Sequence, residues 1–324
     1  MPKLIVVFNT CGLGGQDNTD FYIHAINNIL AQRFDDFKVV LSACMNSQAC
    51  INRIYGEFGN LISYNIINEV LPLSVTFNHS CQKMVEAHGE CDGFVYLDSG
   101  MLLQDENVLQ KLYDTFKNGN YGLVSTQASN DMGLHLWFGV GSFHGDDSQN
   151  HLLFEKDWVD ANGYKLDEAG NFIMPPGKCT NLHINLWSWE FYKTYNDKIL
   201  SDILASYCLE SYFSFMVAAI QKQWVITKDI TAFHAAALDG AALGYAKRHD
   251  MVFRSPKSIT EIITPGHEYG FGYDESRGVL IHKPECFDEN YLCINDQLKE
   301  FIRDNLFLSK EYMDYDTVRH QFVK

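Results

Sequence analysis

Gly93-Phe94-Val95-Tyr96-Leu97-Asp98-Ser99-Gly100 decides how the chain is read. Five residues without a charge, the look of a strand buried on both faces, run straight into a carboxylate. A carboxylate at the end of such a strand is poorly placed as solvent-facing decoration. It suits a ligand for a hard divalent cation, which takes oxygen ligands and clamps phosphates. The alternative is that it only caps the following turn. Four similar strands surround it, at Leu4–Phe8, Phe37–Ser42, Leu61–Ile67 and Tyr121–Ser125. Between them lie stretches with helical spacing: Phe21 to Leu30 behind the caps Asp17 to Asp20, Gln48 to Phe58, Phe77 to His88, and Val108 to Phe116. Strands alternating with helices predict an α/β fold, a mostly parallel central sheet with helices on both faces. In open sheets of this kind ligands bind beyond the carboxyl ends of the strands. Those ends carry Asn9-Thr10-Cys11, Ser42-Ala43-Cys44 and Asp98-Ser99, and a later strand ends in His234.

The chain of 324 residues is long enough to bury roughly three quarters of its unfolded surface, so the core needs no staples. Its 41 acidic against 25 basic side chains give a net charge of −16, with no basic cluster denser than Lys247-Arg248. That balance repels phosphate backbones and anionic membrane surfaces, which excludes nucleic acid as a partner. No run approaches the ~18 apolar residues of a membrane span, and no signal-peptide pattern opens the chain. Nine cysteines, widely spaced and without a C-x-x-C pair, indicate reduced thiols in a cytoplasmic setting.

Beyond residue 126 the alternation breaks. Gly139 to Thr180, rich in Gly, Asp, Asn and Pro, is too long for an ordinary connection and is either a lid over a ligand or a surface insertion. Asp160-Ala161-Asn162-Gly163 superficially suggests a calcium loop, but Trp158 and Ala169 fall where carboxylates are required. An Asn-Gly hairpin turn is expected there. Helices follow near Trp187 to Tyr195 and from Leu209 to Gln221, with strands at Trp224–Thr227 and Ile230–His234 and a terminal helix near Asp296 to Asp304. The aromatic group Trp187, Trp189, Phe191 and Tyr192 is expected in the core. A phosphate-loop lysine motif is absent, Gly12-Leu13-Gly14-Gly15 lacks the third glycine of the dinucleotide fingerprint, and there is no G-x-S-x-G elbow or H-E-x-x-H pair.

The order of the remaining motifs resembles glycosyltransferase family 2. Val75-Thr76-Phe77-Asn78 through His88-Gly89-Glu90 to the strand ending in Asp98 is similar to that family's Asn-containing helix, its Gly-Glu pair and its Asp-x-Asp strand. Leu209-Glu210-Ser211 through Trp224-Val225-Ile226 to His234 resembles its Glu-Asp helix, the strand after it and the histidine beyond. With Asn9-Thr10, the likeness covers residues 3–240. It implies a GT-A fold, a UDP- or GDP-sugar donor, a glycan or glycolipid acceptor with a hydroxyl group, and a bound Mn²⁺ or Mg²⁺. On that resemblance the enzyme is of the hexosyltransferase type. Residues 1–126 form the nucleotide-sugar half and 127–240 the acceptor half, while 241–324 are an extension to which no chemistry is assigned.

The resemblance assigns Asn9, Thr10, Ser42, Asn78, Asp98 and Ser99 to the donor, Asp98 and His234 to the metal, and Glu210 to the acceptor hydroxyl as general base. Two positions depart from the pattern. Gly100 replaces the second Asp of Asp-x-Asp, removing a metal ligand, and Ser211 replaces the Asp of Glu-Asp, leaving Glu210 as the substitute base. Those losses keep retaining chemistry and a catalytically inactive nucleotide-sugar or glycan-binding relative in view, and a sugar nucleotidyltransferase, whose fold is similar, is a third alternative. Each residue also has an ordinary structural role open to it. Asn78 can cap a helix, Asn9 and Thr10 can turn the chain, Glu210 can favour a helix dipole, and His234 can pack in a core.

Overall fold

A computed structural model describes residues 1–12, 18–68, 73–103, 105–130, 153–174, 184–195, 197–199, 217, 220–234, 271–274 and 279–282. The expected helices at 209–221, apart from residues 217, 220 and 221, and at 296–304 lie outside the described residues.

The first half follows the sequence closely. Strand β1 (Leu4–Cys11) leads to helix α1 (Thr19–Leu30), β2 (Phe37–Cys44) to α2 (Gln48–Phe58), and β3 (Ser63–Ile67) to α3 (Leu73–His88). The chain continues through β4 (Gly93–Leu97), a short β5 (Met101–Leu103), α4 (Val108–Asn118) and β6 (Tyr121–Asn130). The starts of α1 and α2 are set by side-chain caps. Asn18 accepts the Phe21 N–H at 3.3 Å, and Ser47 accepts the Cys50 N–H at 3.1 Å.

The second half adds α5 (Lys156–Ala161), β7 (Lys165–Leu166), β8 (Phe172–Ile173), β9 (Ile184–Ser188), α6 (Trp189–Thr194) and β10 (Gln223–His234). A separate hairpin pairs β11 (Phe271–Asp274) with β12 (Val279–His282). Among the described residues the main sheet has ten strands in the order β3-β2-β1-β4-β9-β6-β10-β8-β7, with β5 added to β10. Pairs β1–β2, β2–β3, β1–β4 and β6–β10 are parallel. Because β9 is antiparallel to both β4 and β6, six strands point the same way: β1, β2, β3, β4, β6 and β10.

Strand alternation separates two apolar faces. Leu4, Val6, Phe8, Val39, Leu41, Val95 and Leu97 pack with α1, α2 and α4. The opposite positions face α3 and α6, where Phe77 meets Tyr96 at 5.2 Å between ring centroids and Phe94 meets Tyr192 at 4.8 Å. Helices therefore cover both faces, as expected of this sheet class.

Two expectations are corrected. Trp187 belongs to a strand: β9 runs to Ser188, whose hydroxyl accepts the Phe191 N–H at 3.0 Å and starts α6 one residue later. The run Ile184 to Tyr192 is apolar and aromatic almost throughout, so periodicity cannot tell strand from helix there. Asn162-Gly163 closes a helix instead of a hairpin. The Tyr164 N–H donates to the Val159 carbonyl at 2.9 Å while Gly163 takes φ +71°, a left-handed helix end. The hairpin lies further on, where Gly170 (φ +83°) turns β7 into β8.

That hairpin is anchored by Asp167. Its carboxylate accepts the Tyr121 hydroxyl, the Asn171 side-chain amide at 2.8 Å and the Asn171 N–H at 2.7 Å. Asn171 in turn accepts the Lys228 N–H at 3.2 Å, so the segment is tied to both β6 and β10. Burial opposes the Asp167 charge, but the hydrogen bonds from Tyr121 and Asn171 outweigh it and hold the carboxyl below its ordinary value. A carboxyl lowered on folding stabilises the native state above the unfolded value near pH ~3.9 and loses that contribution as pH falls through the folded value. Asp167→Asn is therefore expected to destabilise the protein by about 1 kcal/mol at neutral pH and to flatten the stability profile below about pH 4, measured by urea unfolding across pH.

Gly93 begins β4 where the sheet has no room. A Cβ there would lie 2.5 Å from the backbone carbonyl oxygen of Trp187 on β9. Gly93→Ala must push β4 and β9 apart, and a loss of about 1–3 kcal/mol in chemical denaturation is expected.

Candidate functional site

Register brings the expected strand ends level. Asn9 pairs with Ser42, and Ser42 with Asn65 on β3, so three polar side chains form a row across β1, β2 and β3 beneath α3. Phe8 pairs with Leu97, which makes Asp98 the next position beside Asn9. The row continues into α3: the Ser42 hydroxyl points at the Thr76 carbonyl at 3.5 Å, and the Asn65 amide donates to Ser80 at 2.8 Å. Asn65 and Ser80 were missed by the sequence reading, although period-two alternation in Ser63-Tyr64-Asn65-Ile66-Ile67 puts Asn65 on the face of its buried neighbour Ile67.

The individual side chains differ in what they do. Thr10 donates to Asn46 at 2.9 Å, tying the end of β1 to the turn after β2. That turn contains Met45 at φ +57°, held by its N–H to the Ile67 carbonyl at 2.8 Å. Asn78 accepts the Ile199 N–H at 3.0 Å and so fastens residues 197–199 to α3. These two side chains are buried and serve the local architecture. Asn9 is different: it is 5% exposed, and neither its amide oxygen nor its amide nitrogen has a hydrogen-bond partner among the described residues. An unsatisfied buried polar group costs on the order of 1–3 kcal/mol, a cost that is relieved where another group or a ligand answers it.

Asp98 is half-buried and stands just past β4. Its Oδ1 accepts the Ser99 N–H at 2.9 Å and its carbonyl accepts the Met101 N–H at 3.1 Å, so it builds the turn into β5. Ser99 is 8% exposed in the same turn. Strand β5, which the sequence reading missed because it is three residues long, returns antiparallel to β10. His234 is in register with Met101 on one side and Asn130 on the other, so its backbone lies three residues from Asp98 along that ladder. Glu210 and Ser211 lie outside the described residues.

Among the described residues no three His, Cys, Asp or Glu side chains are grouped to hold a metal ion. Gly100 has no side chain to offer as a ligand, and Asp98 is the carboxylate that directly follows β4. Such a residue fits a cation only in the manner of one carboxylate beside substrate phosphates, not as a protein-built cage. A groove of about 520 Å³ lies at the opposite, amino end of the strands, bordered by Lys3, Asp92, Lys117, Glu190 and Lys222. Its charges largely answer one another, with Lys222 on Glu190 at 2.9 Å and Lys117 on Asp92 at 3.8 Å. It is remote from the polar row.

The mixed, mostly parallel sheet with helices on both faces is an α/β fold that matches glycosyltransferases of the GT-A type. The chain is similar in structure to a mannosyltransferase from Pyrobaculum calidifontis, PcManGT, solved in complex with GDP-Man and Mn²⁺, with a TM-score of 0.50 and 13% identity over 79% of this chain. The chain spans 66% of that protein's length. A TarS fragment from S. aureus in complex with UDP is also similar, with a TM-score of 0.46 and 12% identity, over 80% of this chain and 69% of that one. At these identities the likeness concerns the fold. No family model matches the sequence. No curated protein matches it either. Among the described residues no helix is long and apolar enough to cross a membrane.

Proposed function

We propose that the protein is a glycosyltransferase that moves a sugar from a UDP- or GDP-sugar to a hydroxyl of a glycan or glycolipid acceptor. The observation that carries the reading is the register alignment of Asn9-Thr10 near the end of β1 with Ser42 near the end of β2 and with Asp98-Ser99 just past β4, toward the carboxyl edge of a glycosyltransferase-type sheet. In this reading residues 1–240 are the transferase unit, divided at residue 126 into donor and acceptor halves, and 241–324 extend it. Asp98 accepts hydrogen bonds from the donor's ribose, and Asn9 offers its amide, unanswered among the described residues, to the nucleotide. Thr10, Ser42, Asn78 and Ser99 hold the strand ends and α3 in place around them. Glu210 takes the proton from the acceptor hydroxyl, whose oxygen attacks the anomeric carbon as the bond to the diphosphate breaks. A Mn²⁺ or Mg²⁺ ion arriving with the diphosphate, met by Asp98 and His234, would offset charge on the leaving group.

Nucleotide release tests this. Purified protein incubated with UDP- and GDP-sugars and a panel of glycan acceptors is expected to liberate the free nucleoside diphosphate, faster with Mn²⁺ than with a chelator. A second reading, a donor-binding protein without turnover, is favoured by Gly100 and Ser211 and is distinguished by calorimetric donor binding with no release.

A further inference from the structure

Two thiols stand together at the end of the polar row. Cys11 and Cys44 are the last register pair of β1 and β2, and the ladder is still closed beyond them, where the Gly12 N–H donates to the Cys44 carbonyl at 2.9 Å. Neighbouring strands lie about 4.8 Å apart, inside the ~4.4–6.8 Å that disulfides span between Cα atoms. Both side chains belong to the α3 face. Ser42 reaches Thr76 of α3, Cys44 follows Ser42 by two residues, and Cys11 follows Asn9 by the same step. Cys44 is 1% exposed, whereas Cys11 is half-buried.

The other described cysteines differ. Cys50, Cys81 and Cys91 are buried. Burial pushes the Cys81 thiol well up and the Cys91 thiol up to about 12, which leaves almost no thiolate at neutral pH. Of the five, Cys11 alone combines access with a thiol neighbour in register.

We propose that Cys11 and Cys44 are an oxidation site that closes reversibly into a disulfide across the mouth of the candidate donor site. With a peroxide as oxidant, the Cys11 sulfur attacks one peroxide oxygen. The O–O bond breaks, one water leaves, and a sulfenic acid remains. The Cys44 sulfur then displaces that hydroxyl as a second water. The sum is two thiols and one hydrogen peroxide giving one disulfide and two waters, with two electrons passing from sulfur to oxygen. A small dithiol reverses it by exchange. Disulfide Cβ atoms sit near ~3.8 Å, closer than neighbouring strands hold them, so the bridge draws the ends of β1 and β2 together two residues beyond Asn9 and Ser42. Its consequence for nucleotide binding rests on the function proposed above; the thiol chemistry does not.

Peptide mapping decides the chemistry. Arg33 and Lys38 lie between the two cysteines, so trypsin separates them. After treatment of the full chain with a small excess of hydrogen peroxide and alkylation, a non-reducing digest is expected to contain a Cys11–Cys44 linked peptide that dithiothreitol removes. Cys81 and Cys91 are expected to react at least about tenfold more slowly. Cys11→Ser, at the half-buried position, must abolish the link while the protein stays folded by circular dichroism. Recovery of Cys11 as sulfinic or sulfonic acid without a link, its linkage to a different cysteine, or its persistence as a thiol overturns the proposal.

In a second arm, the thermal stabilisation given by UDP or GDP is expected to fall at least about threefold on oxidation in the native chain and to stay constant in Cys11→Ser. A link that forms with no change in that response overturns the gating of the site. A link that forms in a protein that binds neither nucleotide supports the thiol chemistry and counts against the donor site instead.

Discussion

Trp187→Ala is expected to cost about 3–5 kcal/mol, the largest stability loss among single substitutions considered. The indole is fully buried in β9, opposite Phe94 on β4 and Leu123 on β6, at the centre of the sheet. It lies 5.9 Å from the Phe77 ring of α3 and 6.5 Å from Tyr96. Deleting it leaves a cavity that β4 and β6 cannot close, because both are held in register through β9. Trp189, two residues on, stacks on Phe94 but remains half-exposed, so Trp189→Ala should cost less than half as much. Urea denaturation of the two variants checks the ranking, and a Trp187→Ala loss below about 1.5 kcal/mol would refute this view of the sheet centre. The effect also reaches the site, since Phe77 and Asn78 are consecutive in α3.

The second large effect concerns activity. Asp98→Ala is expected to lower kcat/KM for nucleotide release by roughly a hundredfold or more, the scale on which a group aimed at the reacting centre acts. Because Asp98 also accepts the Ser99 N–H, the alanine variant loosens the turn into β5. Asp98→Asn keeps an acceptor for that N–H and removes the charge. If the loss follows the charge, both variants are inactive and Asp98→Asn keeps its native melting temperature. Full activity in Asp98→Asn would mean that Asp98 shapes the turn and touches no substrate.

The first half of the chain was legible in the sequence because its signals are long and mutually consistent. Strands β1, β2 and β4 are apolar runs buried on both faces, and α1 and α2 carry side-chain caps at their starts. What escaped were elements too short or too uniform to carry a period. Strand β5 has three residues, β7 and β8 have two each, and β9 merges into α6 through aromatic residues. Antiparallel insertion of β9 between β4 and β6 is a tertiary choice with no local signature.

At the site, sequence position identified Asn9, Ser42 and Asp98 as strand-end groups, and register aligns them. It could not separate Asn9, whose amide is unanswered among the described residues, from Thr10 and Asn78, whose side chains are engaged by Asn46 and Ile199. Hydrogen-bond partners more than thirty residues away are invisible to local pattern. Glu210 and the side chain of His234 lie outside what the structure describes, so their roles rest on the resemblance alone.

Nucleotide-induced stabilisation tests donor binding at the polar row. UDP or GDP, or a sugar conjugate of one of them, is expected to raise the melting temperature by several degrees at concentrations well above its Kd. Asp98→Asn is expected to abolish most of that rise without lowering the melting temperature of the ligand-free protein. A wild-type protein whose melting temperature stays unmoved by every nucleotide and nucleotide sugar, with and without Mn²⁺, would contradict donor binding there.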